Sequence, residues 1–313
     1  MTNNVSYTIE EIAQILRVSK LTVYDLVKKG DLPVYRVGRQ MRVDAVDLEA
    51  YKAGAKNGQK PAQSILIAGP NREADFSTKS IVISGQDISL DILANYLEKH
   101  AKGIRPLRSY VGSLNSLISL YRGEVEVVST HLFDGNTGEY NIPYVQRILT
   151  GYSYMIINLI SRWGGLYVQK GNPKNIQTWR DLIHPDIQIV NREKGSGARV
   201  LLDEQLRIHG ISSLRVKGYE VEESNHLAVA GAISKGEADV GIGIEKAAQI
   251  VGVEFIPLIK ERYDLVIIKS PQNIEMINTI LTILRSTSFQ SELQAIGGYD
   301  LSQTGEILFE TLS

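Results

Sequence analysis

The sequence predicts an α/β protein of two lobes preceded by a small helix-turn-helix module, and three observations carry that prediction. From residue 75 onward, strand-like runs alternate with amphipathic helices: SIVISG (80–85) before ISLDILANYLEKH, IRPLRSY before SLNSLISLY, then EVEVVS, IQIV (187–190) before ARVLLDEQLRIHG, ADVGIGI and VEFIPL. Alternation at this spacing is the pattern of βα units in a parallel, doubly wound sheet. Second, SLNSLISLYRGEVEVVSTHL (113–132) and NHLAVAGAISKGEADVGIGI (225–244) both run helix, Gly-Glu, strand, then a polar or glycine-rich turn. One unit repeated implies two lobes built alike rather than one continuous sheet; coincidence is the alternative, since helices often end in glycine before a strand. Third, the first 53 residues hold two short capped helices and a hairpin.

Bulk properties bound the class. At 313 residues the chain exceeds a single hydrophobic core. With 43% apolar and 22% charged residues and a formal net charge of −1, it is an ordinary globular chain without a chain-wide nucleic-acid surface. Residues 1–60 hold ten Lys or Arg against seven Asp or Glu, a local basic excess. The absence of cysteine excludes disulfides, thiolate metal sites and a thiol nucleophile. The start, MTNNVSYTIEE, has neither the basic end nor the apolar stretch of a signal peptide, and no apolar run approaches the roughly 20 residues of a membrane helix. A cytoplasmic protein with no membrane partner is expected.

Within YTIEEIAQILRVSKLTVYDLVKKGDLP, Thr8 and Glu11 form a capping-box pair, and Ile9, Ile12, Ile15 and Leu16 make one apolar stripe. After a turn at Arg17 and Val18, Ser19 caps a second helix with inner face Leu21, Val23, Leu26 and Val27, ending at Gly30. Val34 to Val37 and Met41 to Val43 read as arms of a β-hairpin with Gly38 and Arg39 at its tip, and Asp44 as the cap of a closing helix through Leu48 and Tyr51. Residues 6–53 resemble the winged helix-turn-helix of the excisionase and MerR-like DNA-binding families. The resemblance implies that Ser19, Lys20, Thr22, Tyr24 and Lys28 face double-stranded DNA from the second helix, with Arg39 and Arg42 on the wing. A single module makes few phosphate contacts, so specific binding implies two half-sites and a homodimer or higher homo-oligomer.

AGAKNGQKPAQS (53–64) is small, polar and aperiodic, the composition of a flexible linker. The expected organisation is a DNA-binding domain at 1–53, a linker at 54–74 and an effector domain at 75–313. With a crossover near SRWGGLYVQKGNP (161–173) and a return through ERYDLVIIKS (261–270), the larger part resembles the type II periplasmic-binding-protein fold. Its turns, ISGQDISLDIL, SYVGSLNSL, VVSTHLFD, NREKGSGAR, ESNHLAVA and ADVGIGI, are similar to those of binding-protein-like domains in cytoplasmic regulators of molybdate or tungstate metabolism.

Sheets of this kind bind ligands beyond the carboxyl ends of their strands, where helix starts expose unpaired amides and a partial positive charge. Ser84 and Gly85 are expected to begin the first such helix, Ser113 the second, Gly195, Ser196, Gly197 and Ala198 the one in lobe two, and Ser224 and Asn225 another, with Thr130 at a further strand end. These groups are mostly neutral donors. Phosphate near neutral pH keeps a proton and wants an acceptor, whereas molybdate, tungstate and sulfate want donors only. Asp87 is read as a capping-box acid three residues after Ser84, beside the same cleft. Arg199, in the first turn of its helix, opposes the helix dipole and calls for an anion: the ligand or an interlobe salt bridge. His131 and His226 either brace their loops or touch the ligand.

Neither a Walker loop nor a dinucleotide fingerprint is present, and no HExxH, GxSxG or paired-carboxylate motif supports catalysis. The reading is a non-enzymatic, one-component transcription factor without cofactor or cation site, whose two-lobed domain closes on a small oxyanion. The resemblance implies molybdate or tungstate. Alternatives are a small organic acid or another oxyanion as effector, or an architectural or recombination-accessory DNA-binding protein that senses nothing.

Overall fold

The computed structural model describes residues 6–16, 18–28, 32–37, 40–56 and 78–311. The chain divides into two compact units, Met1–Ala74 and Asp75–Ser313.

In the first unit, β1 (Ser6–Thr8) leads into α1 (Ile9–Leu16), followed by α2 (Lys20–Lys28), β2 (Tyr35–Val37), β3 (Gln40–Asp44) and α3 (Ala45–Lys56). Both halves of the capping box form: the Thr8 backbone N–H donates to Glu11 at 2.7 Å, and the Glu11 N–H donates to Thr8 Oγ1 at 3.3 Å. Ser19 Oγ accepts from Thr22 N at 3.1 Å, capping α2. The hairpin β2–β3 gains a third antiparallel strand, β1, on the other edge of β3, which the sequence pattern did not show. Ile9, Ile12, Val23, Leu32, Val43 and Leu48 close a small core, whereas Ile15, assigned to the apolar stripe, stands 39% exposed. Helix α3 runs to Lys56, past the expected start of the linker. The rest of that linker lies outside the described residues, as do the wing tip at Gly38 and Arg39 and the turn residue Arg17.

The second unit starts with β4 (Lys79–Ser84), α4 (Ser89–His100), β5 (Ile104–Ser109), α5 (Ser113–Tyr121) and β6 (Val127–Thr130). A short hairpin, β7 (Phe133–Asp134) and β8 (Glu139–Tyr140), precedes α6 (Ile142–Ile148) and the long strand β9 (Tyr154–Val168). Lobe two follows as β10 (Ile189–Arg192), α7 (Gly197–Ile208), β11 (Glu222–Glu223), α8 (His226–Lys235), β12 (Val240–Ile244) and α9 (Glu245–Val251). The second long strand, β13 (Glu254–Ile268), returns to lobe one, which ends with α10 (Ile274–Arg285), α11 (Thr287–Ile296) and β14 (Ile307–Glu310).

The strands run β11-β10-β12-β9-β13-β6-β4-β5, with β14 also on β9. Two expectations are corrected here. The pairs β4–β5, β4–β6, β10–β11 and β10–β12 are parallel as expected, but β9 and β13 pair antiparallel with each other and with both lobes, so the sheet is mixed. The lobes are also strands of one connected sheet, because β9 and β13, each 15 residues long, serve both. Register shifts between Pro257 and Ile259 and between Tyr263 and Asp264 let β13 bend, the usual effect of bulges. Gly165 is required beside the first of these, since any Cβ there would overlap the Ile256 carbonyl.

Each lobe buries helices on both faces of its strands. In lobe one, Ile83, Leu93, Leu265 and Ile280 pack on the α4/α10 side, and Leu117, Val128, Val145 and Val266 on the α5/α6 side. In lobe two, Ile189, Leu201 and Ile242 pack under α7, and Val190, Val229 and Ala247 under α8 and α9. Phe133 and Tyr140 of the β7–β8 hairpin join the α7 cluster, so a piece of chain leaving lobe one is rooted in lobe two.

Candidate effector site between the lobes

The turns after β4, β5 and β6 meet the turns after β10 and β11. The Leu114 N–H, at the start of α5, donates to the Gly195 carbonyl at 2.9 Å across the cleft. Gly112 makes that approach possible, because a Cβ there would lie 3.0 Å from Gly195 O and Ser196 Cα. Gly197, the first residue of α7, lies so close to the His131 imidazole that an added Cβ would come within 2.3 Å of its ring atoms. The lobes therefore touch through backbone and ring, in a closed arrangement.

At the centre sit two buried arginines. Arg192, at the end of β10, is 1% exposed; its guanidinium donates to Gln86 Oε1 of lobe one at 2.7 Å, to Glu193 at 2.7 and 2.8 Å, and to the Ser224 carbonyl at 3.2 Å. Gln86 Nε2 returns a bond to Glu193 Oε1 at 3.3 Å. Arg162, on β9, pairs with Asp87 and with Glu261 of β13 at 2.6 Å, and stacks over the Tyr263 ring at 4.7 Å. Burial opposes the Arg162 charge, but Glu261 and Asp87 outweigh it and hold the guanidinium protonated beyond its ordinary range. Two guanidiniums thus face three carboxylates, Asp87, Glu193 and Glu261.

Both histidines lie in this centre. Ser113 Oγ accepts from the His131 backbone N–H at 3.3 Å and lies 2.9 Å from His131 Nδ1. Either atom of the Ser113 Oγ–His131 Nδ1 pair can be the donor, according to the imidazole tautomer. His226 opens α8 and its buried Nδ1 has no hydrogen-bond partner among the described residues. Burial first, then Arg162 and Arg192, push the His131 value well below 6.5; burial, Arg192 and Arg162 do the same to His226. Groups depressed in the folded state leave the unfolded chain to take up protons first. Stability in the absence of ligand is therefore full above about pH 6.5 and falls as pH drops below it, by about 1.4 kcal/mol per pH unit for each histidine, until the folded values are reached. Urea unfolding midpoints measured across that interval check the slope.

The predicted ligand residues divide. Ser113, Gly195, Ser196 and Gly197 come together at the closed seam, with Ala198 buried behind them in α7. Ser196 Oγ accepts from the Arg199 N–H as the α7 cap, and Asn225 Oδ1 accepts from the Ala228 N–H as the α8 cap. Ser224 offers its carbonyl to Arg192. Thr130 is fully buried with no partner for Oγ1 among the described residues. Three readings are corrected. Ser84 and Gly85 do not start a helix: Ser84 ends β4 with its hydroxyl 2.8 Å from Ser116 Oγ, Gly85 turns the chain at φ 144°, and α4 begins at Ser89. Asp87 is no capping-box partner of Ser84; Oδ1 accepts from the Ser89 N–H at 2.8 Å and from Tyr299 at 2.9 Å, and Oδ2 meets Arg162. Arg199 makes no interlobe salt bridge among the described residues: Asp203 at 3.1 Å and Glu222 at 2.7 Å, both in lobe two, take its guanidinium and Tyr219 stacks beneath it.

Arg192, Arg162, Gln86 and Tyr263 were not singled out from sequence. Arg192 had a signal: it stands in NREKGSGAR at the carboxyl end of a strand that extends two residues beyond IQIV. Arg162 had none, because its partners lie 75 and 99 residues away.

Beside this centre lies a cavity of about 280 Å³ lined from both lobes, by Gln86, Asp87, Ile88, Ile296 and Tyr299 on one side and Asn225, His226, Leu227, Ile244, Lys246, Ala247 and Ile250 on the other. Among the described residues no cluster suited to a metal ion occurs, and no helix is long and apolar enough to cross a membrane.

In the first unit, Ser19, Lys20, Thr22 and Tyr24 are exposed along α2, and Lys20 pairs with Glu10 at 2.7 Å. Arg42 on β3 donates to Ser6 Oγ at 3.2 Å. The side chain of Lys28 and the whole of Arg39 lie outside the described residues.

Comparison with known proteins agrees with this two-part build. The family model described as a helix-turn-helix domain matches residues 6–56, and the one described as a PBP superfamily domain matches residues 94–285. The YvgK protein of Bacillus subtilis (strain 168) is 51% identical over 311 residues, covering 99% of this chain and 100% of that protein. Among solved structures, the ancestral amino-acid-binding protein AncCDT-1, a precursor of cyclohexadienyl dehydratase, aligns with a TM-score of 0.51 at 14% identity, over 69% of this chain and 94% of its own. A phosphate-bound substrate-binding protein from Clostridium perfringens aligns equally well, TM-score 0.51 at 15% identity, over 70% and 98%. Both matched families are binding families rather than enzyme families. Through residues 94–285 the chain belongs to the PBP superfamily domain family, joined in the same polypeptide to an N-terminal helix-turn-helix DNA-binding domain.

Proposed function

We propose that this protein is a transcriptional regulator in which a small anion bound between the lobes of the second unit sets the DNA affinity of the first. The observation that carries this reading is the buried Arg192, held at once by Gln86 from lobe one and by Glu193 and Ser224 from lobe two. A group that joins both lobes in one closed arrangement makes closure and occupancy a single equilibrium, since a ligand shifts two states only by its differential affinity. The effector is an oxyanion, with molybdate and tungstate the first candidates through the resemblance. The residues proposed to meet it are Ser113, Thr130, the Gly195–Ala198 turn, Ser224 and Asn225, with Arg192 added. The domains proposed are 1–53 for DNA, 54–74 as linker and 75–313 for effector.

Calorimetry with molybdate, tungstate, sulfate, phosphate and simple carboxylates tests this directly. Heat with molybdate or tungstate and none with the carboxylates is expected. The interlobe cavity favours a second reading, a small organic acid, because Ile88, Leu227, Ile244, Ala247, Ile250 and Ile296 give it an apolar wall that a bare oxyanion does not use. Heat only with carboxylates selects that reading. A protein that acts on DNA without sensing shows no thermal shift with any of them, whereas a true effector at about 100 times its dissociation constant adds about 2.7 kcal/mol.

On the DNA side, Ser19, Lys20, Thr22, Tyr24 and Lys28 of α2 are proposed to face the major groove, and Arg39 and Arg42 to flank it, in a dimer spanning two half-sites. Arg42→Ala is expected to weaken binding across all sequences and to reduce the dependence of log affinity on log salt by about one unit if one phosphate contact is lost. A mobility-shift series in salt measures it.

A further inference from the structure

We infer that His131 and His226 are effector-binding residues that take up protons from solution as an anion enters the cleft, and then hold it as imidazolium donors. The inference rests on the anion-binding reading above, and charge balance within the closed centre carries it. Arg162 is already matched by Asp87 and Glu261, and Arg192 by Glu193. Neither arginine therefore offers an uncompensated charge, and an anion added to a buried site without a counter-charge is costly.

The two imidazoles are placed to supply that charge. His131 faces Arg162 of β9, Arg192 of β10 and Asp87 before α4, with Ser113 of α5 on one nitrogen, Gly197 of α7 against the ring, and the Tyr263 ring of β13 at 5.2 Å. Among the described residues no carboxylate is hydrogen-bonded to it. His226 faces Arg192, Arg162 and His131, and shares its cavity with Asp87 and Lys246, the latter occupied by the Ile296 carbonyl. Its buried Nδ1 has no partner among the described residues, an atom that a bound oxyanion would satisfy. Burial first, and the two arginines after it, keep both rings neutral, and an anion placed beside them adds the negative charge that favours the imidazolium form, so the rings bind protons in the complex and not before it.

The test is calorimetry of the full chain with tungstate near neutral pH, in two buffers of different ionisation enthalpy. Roughly one to two protons should be taken up per anion, with affinity rising as pH falls by up to about tenfold per pH unit for each proton. His131→Gln and His226→Gln should each remove part of the uptake, and the double variant all of it. Should those variants fail to fold, histidine side-chain NMR of the unaltered protein reads the same event, as imidazolium signals appearing on tungstate addition. Heat without proton uptake, or uptake that survives in the double variant, overturns the inference while leaving the anion sensor standing. No heat with any anion overturns both.

Discussion

Arg162→Met is expected to destabilise the second unit by about 3–5 kcal/mol, because it leaves Asp87 and Glu261 as buried charges whose shared cation is gone. Arg162 is 4% exposed, Glu261 2% and Asp87 5%, so water cannot take the place of the guanidinium without opening the structure. The pairs also tie three separate elements together: the crossover strand β9, the return strand β13 and the turn before α4. Urea unfolding of the full chain reads the loss as a shifted midpoint. Arg162→Met combined with Glu261→Met should recover part of it, since one of the two orphaned charges is then absent. A loss below about 1 kcal/mol in the single variant would put the triad in the class of solvated surface pairs and remove it as the brace between these three elements.

Gly197→Val is expected to hold the lobes apart. Gly197 has ordinary helical geometry at the first position of α7, so valine is tolerated by its own backbone; what it meets is the His131 ring across the cleft. Overpacking of this kind costs about 1–3 kcal/mol, paid only by the closed form, which corresponds to a shift of about 5–150-fold toward the open one. Small-angle scattering should report a larger radius of gyration, and the thermal shift produced by an effective anion should shrink accordingly. Gly231→Ala serves as the control: it lies in α8 with open space at its Cβ position and should be neutral or mildly stabilising. An unchanged radius together with unchanged anion affinity in Gly197→Val would mean that His131 simply swings aside and that the seam does not control closure.

Much of the first unit was legible because its signals are local. The Thr8–Glu11 box, the Ser19 cap and the hairpin all act within a few residues. Strand β1 escaped notice because three residues carry no periodicity of their own and are a strand only by pairing with β3. In the second unit, the caps at Ser196 and Asn225 were equally readable, whereas Ser84 was mistaken for a helix start since a serine before glycine looks like a cap in one dimension. Arg199 shows the same limit: the dipole correctly demands an acid near it, yet nothing in the chain order says that Asp203 and Glu222 provide one.

What the sequence determined by itself is the class of each part: alternating apolar runs and capped helices specify βα units and a helix-turn-helix whatever surrounds them, because those preferences are spent within a turn or a strand. Only the tertiary structure decided that β9 and β13 thread both lobes into a mixed sheet, and that Arg162, Arg192, His131 and His226 come within electrostatic range of one another. The reason is range. Ion pairing, burial and ring contact act between side chains brought together from distant parts of the chain, and a linear pattern holds no record of which distant partner will be opposite.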